Sequence, residues 1–199
     1  TVMNENYQQP AMPQGVEEGI LKGMYLLEEA KGDFKHRVQL LGSGTILREV
    51  RAAVDILAKM GVGADVWSVT SFNELRRDGL AVDHWNRLHP TDEPRKSYVE
   101  QCLEGREGPV IASTDYMKLF ADQIRQWVPS REYQVLGTDG FGRSDSRAKL
   151  RDFFEVDRRW VAVAALQALA ARGAIERTVV ANAITEFGID PEKRNPLDC

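Results

Sequence analysis

The sequence is short of cysteine. Its 199 residues contain only two, Cys102 and Cys199. Two cysteines build no disulfide framework, so a reducing, cytoplasmic compartment is expected. Long apolar runs are also missing. None approaches the roughly 18 residues that a spanning helix needs, so no membrane segment is expected. The N-terminus lacks the charged-then-apolar pattern of a secretory signal. An excess of one charge is absent too. There are 26 Lys and Arg against 30 Asp and Glu, mixed along the chain, for a net −4. Without a basic stripe, nucleic acid and anionic membrane are poor candidates as main partners. Repeats and low-complexity tracts do not occur.

Several enzyme signatures are missing as well. There is no Gly-x-Ser-x-Gly elbow and no Walker loop. His84 and His89 flank Trp85 at a spacing of five, whereas zinc ligands on a helix stand four apart. No Glu-x-x-His or Cys-x-x-Cys supports them. Nothing near Cys102 would lower its thiol pKa, so it reads as a core cysteine rather than a nucleophile. "LGSGTIL" (41–47) starts like a dinucleotide fingerprint, but Leu47 replaces the third glycine. Asp65 opens the next strand instead of an acid closing it. A tight strand-to-helix turn is the better reading.

What is present is an ordinary globular composition, 43% hydrophobic and 28% charged. The length suits one domain and can bury roughly 70% of the unfolded surface. "VMNEN" (2–6) reads as a short strand and 16–23 as a short helix. "MYLLEEA" (24–30) fits either helix or strand. "RVQLL" (37–41) is a strand. Ile46, Leu47, Val50, Ala53, Val54 and Leu57 then mark a helix, closed by Gly61 and Gly63. "DVWSVT" (65–70) follows as a second strand, which completes a parallel βαβ unit. Ser71 to Glu74 matches a capping box that opens a helix to about Arg77 or beyond. Residues 80–90 read as helical up to Pro90, and 96–104 as helical. "PVIAS" (109–113) and "YQVLG" (133–137) are further strands. Between them, 115–128 reads as one helix stopped by Pro129. Three more helices are expected over about 146–154, 157–172 and 176–187.

This alternation gives an α/β sandwich on a mostly parallel sheet. Four strands end in polar clusters, "GSGT", "TSFNE", "STDYMK" and "GTDGFGRSDSR". In a parallel sheet these clusters share the carboxyl edge, where open α/β folds place ligands. For the first three, helix capping is the simpler reading. The fourth carries glycines at 137, 140 and 142, together with Thr138, Asp139, Arg143, Ser144, Asp145 and Arg147. Those residues can build a structured turn, an anion contact or an interface.

The stretches "VMNENY", "EEGILKGMYLLE", "VQLLGSGTILREV", "DVWSVTSFNELRRDG", "HWNRLHP", "ASTDYMKLFADQIRQWVP" and "VLGTDGFGRSDSR" carry a resemblance over essentially all 199 residues. They resemble the homodimeric, bacterial-type pyruvate dehydrogenase family, in its C-terminal domain. The resemblance implies a transketolase-C-terminal-like domain over 1–199, with an N-terminal part (1–36) and an α/β core (37–199). Its fold would be a three-layer α/β/α sandwich on a five-stranded sheet with one antiparallel strand, which makes 24–30 a strand. The opening without an initiator methionine then fits a piece of a longer polypeptide.

For the whole enzyme, the resemblance implies decarboxylation of pyruvate on thiamine diphosphate with Mg²⁺. The acetyl group would pass to the lipoyl group of the dihydrolipoyl acetyltransferase. Expected partners are therefore the N-terminal and middle domains, a second subunit and the acetyltransferase. The family's Gly-Asp-Gly cofactor motif with its downstream asparagines is not found here. No catalytic, cofactor or metal residue is therefore expected in this chain. Thr138, Asp139, Arg143, Ser144, Asp145 and Arg147 are expected to act as a structural or interface loop. The alternative is a docking or regulatory module for the acetyltransferase or an effector.

Overall fold

The structure is a computed structural model that describes residues 11–130 and 132–198. The strand expected at 2–6 lies outside the described residues. In chain order the elements are α1 (Glu17–Lys22), β1 (Met24–Glu28), β2 (His36–Gly42), α2 (Leu47–Lys59), β3 (Val62–Val69), α3 (Phe72–Leu88) and α4 (Tyr98–Leu103). After these come β4 (Val110–Ser113), α5 (Lys118–Asp122), β5 (Tyr133–Leu136), α6 (Arg147–Phe153), α7 (Arg158–Ala171) and α8 (Arg177–Glu186).

The five strands lie in the order β1-β3-β2-β4-β5, and only β1 runs antiparallel. Side-chain alternation along the strands separates two cores. Val38, Leu40, Ala64, Val66 and Ile111 point to α2 and α7, where they meet Val50, Leu57, Ala165 and Leu169. Leu41, Trp67, Val69 and Ala112 point the other way, to Leu75, Val99, Ala121 and Ile124 of the α3–α5 layer. Each fully buried aliphatic side chain contributes about 1.5–3 kcal/mol. The result is the expected α/β/α sandwich, and 24–28 is strand.

One buried polar group interrupts the second core. Gln39 takes the Trp67 Nε1–H at 2.9 Å and donates to Asp65 Oδ2 at 3.0 Å. Asp65 Oδ1 accepts the Ala30 N–H at 2.9 Å. Every buried partner there is satisfied, which is the condition for tolerating polarity in a core.

Three sequence expectations change. Gly61, with φ +75°, does close α2, but Gly63 lies inside β3, which begins at Val62 rather than 65. A side chain at 63 would strike the Phe34 ring, 2.6 Å from the Cβ position. The helices expected at 71–77 and 80–90 are one, α3. Gly79 does not break it, because the Trp127 indole lies across that position, 2.4 Å from where a Cβ would stand.

The single helix expected over 115–128 does not form. Residues 114–117 are held as an extended turn, α5 spans five residues, and a separate 3₁₀ turn covers Arg125–Trp127. Tertiary bonds explain the break. Arg125 reaches the Tyr133 carbonyl at 2.7 Å, and Trp127 Nε1 donates to Asp83 at 3.2 Å. Those contacts outweigh the helical pattern of so short a segment.

Candidate functional site

The chain order of the strands fixes where a ligand would be sought. β2 is followed by α2 on one face and then by its neighbour β3. The chain next passes over the other face to β4, on the far side of β2. The direction of winding therefore reverses between β2 and β4, the switch point at which open α/β sheets form a crevice. The turns 43–46 and 114–117 meet there.

These turns bind each other. Ser43 N–H donates to the Ser113 carbonyl at 3.2 Å, and Ser43 Oγ donates to Thr114 Oγ1 at 2.8 Å. Thr45 Oγ1 donates to Asp115 Oδ2 at 3.3 Å. A Cβ on Gly44 would stand 2.9 Å from Asp115 Oδ1, so the carboxylate packs directly on the glycine backbone. That oxygen and the Ser113 hydroxyl are shielded and take no hydrogen bond from the described residues. Gly42 allows equally close packing, since a Cβ there would lie 2.9 Å from Leu47 Cα. The "GSGT" cluster is thus a tight strand-to-helix turn, as its incomplete glycine pattern suggests.

Capping accounts for only one of the first three clusters directly. Ser71 Oγ accepts the Glu74 N–H at 3.1 Å. Ser43 makes no such bond to the following helical turn. In "STDYMK" the cap comes from elsewhere, because the N–H of Lys118 donates to Asp139 Oδ1 at 2.9 Å. A full capping box occurs at Ser97 and Glu100, at the start of α4. Its Ser-x-x-Glu spacing was legible in the sequence, though the expected helix there began at 96.

The loop after β5 is tied inward along its first half. Thr138 N–H donates to the Tyr116 carbonyl at 2.9 Å, and Thr138 Oγ1 donates to the Asp115 carbonyl at 2.7 Å. Gly140, at φ +102°, lies against the Pro196 carbonyl, where a side chain would stand 2.6 Å away. The second half faces α6. Arg143 lies over the Phe153 ring, 4.4 Å from its centroid. Asp145 Oδ1 accepts the Ser146 N–H at 2.7 Å, and Ser146 Oγ accepts the Lys149 N–H at 3.5 Å, opening α6. Ser144 is exposed.

A cleft of about 410 Å³ runs between this loop and α6, lined by Thr45, Asp115, Thr138, Arg143, Arg147 and Arg151 among others. Of the six loop residues singled out in the sequence, Thr138, Arg143 and Arg147 line it. Asp139 turns to α5, and Asp145 to the start of α6.

Next to the cleft is a feature that sequence reasoning missed. Glu49 is a carboxyl side chain only 4% exposed. Its carboxylate accepts from Arg151 Nη1 at 3.1 Å and from Arg158 Nε at 2.9 Å and N–H at 3.3 Å. It joins α2, α6 and the start of α7. The hydrogen bond that Arg158 donates to Glu49 raises the guanidinium pKa. The signal was available: Glu49 lies three residues after Ile46 and four before Ala53, on the apolar stripe of its helix.

The remaining candidates do not converge. His89 stacks on Trp85, with ring centroids 4.1 Å apart, and its Nδ1 lies 2.8 Å from the Trp85 carbonyl. Cys102 is half-buried against the second core, and burial pushes its thiol pKa up. Its hydrogen-bonding neighbour is Tyr98, with Lys22, Arg106 and Asp78 also near. Among the described residues, no group of three His, Cys, Asp or Glu side chains could hold a metal ion. None of their helices is long and apolar enough to cross a membrane.

Residues 23–157 match the family described as the transketolase-like TK C-terminal domain. The chain belongs to this family. Within it, the chain is 76% identical over 200 residues to the pyruvate dehydrogenase E1 component of Pseudomonas aeruginosa, covering 100% of this chain and 23% of that protein. Against the pyruvate dehydrogenase E1 component of Escherichia coli K12 it is 60% identical over 197 residues, covering 98% and 22%. The chain thus spans less than a quarter of the curated relatives it matches. Solved transketolases share the fold of this C-terminal-domain family. One from Pichia stipitis superposes with a TM-score of 0.52 at 22% identity, over 78% of this chain and 19% of that one. One from Leishmania mexicana gives 0.51 at 18% identity, over 80% and 20%.

Proposed function

We propose that this chain is the non-catalytic C-terminal domain of a pyruvate dehydrogenase E1 component, a single domain over 1–199 that supports a larger cytoplasmic homodimer. The whole enzyme would decarboxylate pyruvate on thiamine diphosphate and pass the acetyl group to the lipoyl group of its acetyltransferase partner. The observation that supports the domain's own role is how the polar groups at the switch point are used. Ser43 bonds to Thr114 and Thr45 to Asp115, so these side chains hold the two turns together.

The residues here do not fit the cofactor's metal. No suitable carboxylate or imidazole group comes together among the described residues. Asp139 is committed to a helix cap, and Asp145 to the Ser146 N–H. Thiamine diphosphate and Mg²⁺ would be held by the rest of the polypeptide. Thr138 and Asp139 anchor the loop to the turn after β4 and to α5, and Arg143, Ser144, Asp145 and Arg147 are assigned to its outward, interface side.

The test is an assay of this chain alone, supplied with pyruvate, thiamine diphosphate, Mg²⁺ and an artificial electron acceptor. The expected result is no turnover above the reaction without protein. Saturable turnover would overturn the reading.

A further inference from the structure

We infer that the carboxyl edge of the sheet is a docking surface for the part of the same polypeptide that lies outside these 199 residues. The inference rests on the reading of this chain as one domain of a longer enzyme. It starts from the distribution of exposed apolar side chains. Tyr116, Met117, Leu119 and Phe120 are 50%, 43%, 67% and 40% exposed, and Phe141 is 83% exposed. Single exposed apolar residues are normal on any protein, but a contiguous group marks an interaction site.

The two segments that carry these side chains are bonded together. The Thr138 N–H donates to the Tyr116 carbonyl, and Asp139 Oδ1 takes the Lys118 N–H. Phe141 follows two residues later. The Tyr116 and Phe120 rings meet at 5.4 Å, inclined by 56°. They also form a wall of an open groove of about 370 Å³ that continues past Ser43 and Gly44 to Asn73.

The helix beneath Leu119 and Phe120 is anchored in the core. α5 turns Ala121 into the second core, beside the fully buried Ile124, and thereby leaves Leu119 and Phe120 outside. A surface held in place before binding loses little conformational entropy when it docks. Its composition of aromatics and methionine matches the buried centres of protein interfaces.

The occupant follows from length. The Pseudomonas relative matches this chain from end to end and is more than four times as long, since the match takes up 23% of it. That large remainder is covalently attached. It meets the edge at an effective concentration of order millimolar, which a separate molecule rarely reaches. The groove and the apolar group are therefore assigned to the remainder of the same chain, not to a second copy.

The experiment uses the full-length enzyme that carries this sequence, with the photo-crosslinking residue benzoylphenylalanine at position 119. Unlabelled chains and chains labelled with heavy nitrogen are mixed and reassociated before irradiation, and cross-linked peptides are read by mass spectrometry. The expected products join position 119 to peptides outside these 199 residues, with both halves carrying the same label. Products that pair light with heavy peptides would assign the surface to a second copy and overturn the inference. Products confined to these 199 residues, or no products at all, would overturn it equally. None of these outcomes bears on whether the isolated chain turns over pyruvate, so the two readings fail separately.

Discussion

Asp139 accepts a 2.9 Å hydrogen bond from the backbone N–H of Lys118, so a loop residue after β5 caps the helix that follows β4. The bond couples two segments 21 residues apart and satisfies a donor at the first turn of α5. Asp139→Ala should cost about 1 kcal/mol, the usual value of a side-chain cap. Asp139→Asn keeps an acceptor oxygen and should cost less. Chemical denaturation measures both. Amide exchange at Lys118 should accelerate in the alanine variant alone, and equal stability in all three proteins would refute the capping role.

Glu49 makes a stronger prediction because it is buried while its two arginine partners are not equally so. The Arg151 side chain is 14% exposed and that of Arg158 is 48% exposed. Removing the carboxylate leaves Arg151 without its counter-charge and frees the N–H of Arg158 at the start of α7. Glu49→Ala should destabilise by about 3 kcal/mol, as expected when one partner of a buried ion pair is lost. The half-exposed Arg158 is resolvated by water, which holds the loss at the lower end of that range. Glu49→Gln, which keeps an oxygen acceptor, should fall between wild type and alanine in urea midpoint.

Tyr133 sets an alkaline limit. Its hydroxyl donates to the Ala121 carbonyl at 2.7 Å, and burial pushes its pKa upward. The neutral phenol is therefore the form that the fold favours. Its contribution is complete below the unfolded-state pKa, about 10, and is lost as pH rises from there toward the folded-state value. While only the unfolded chain is ionised, stability should fall by about 1.4 kcal/mol per pH unit from this group. Tyr98 and Cys102 shift in the same direction, also by burial, and steepen the decline. Tyr133→Phe should unfold along a shallower alkaline limb than wild type. Limbs of identical slope would remove Tyr133 from the account.

The β2–α2–β3 unit was readable because its chemistry is local. An apolar run, a helix with apolar positions three and four apart, and a second apolar run each report their own geometry. The stop at Gly61 was readable for the same reason, since that glycine has positive φ. Residues 115–128 misled because their pattern is helical while their hydrogen-bond partners are distant. Arg125 belongs to Tyr133, and Trp127 to Asp83 on α3. "MYLLEEA" could not be settled by periodicity, and pairing with β3 makes 24–28 a strand.

The glycine-rich stretch 136–147 shows the division most clearly. Its residue types determined that a turn and a helix start would stand there, because glycine permits positive φ and serine caps helices. Which surface each side chain faces was a tertiary decision. Asp139 caps the start of α5, Thr138 holds the Asp115 carbonyl, and Arg143 lies on Phe153. The same holds for Glu49, whose charge is tolerated in the core only because α6 and α7 bring two arginines to it. Sequence fixes backbone preference and burial period locally. The pairing of groups far apart in the chain appears only when the sheet brings its strand ends to one edge.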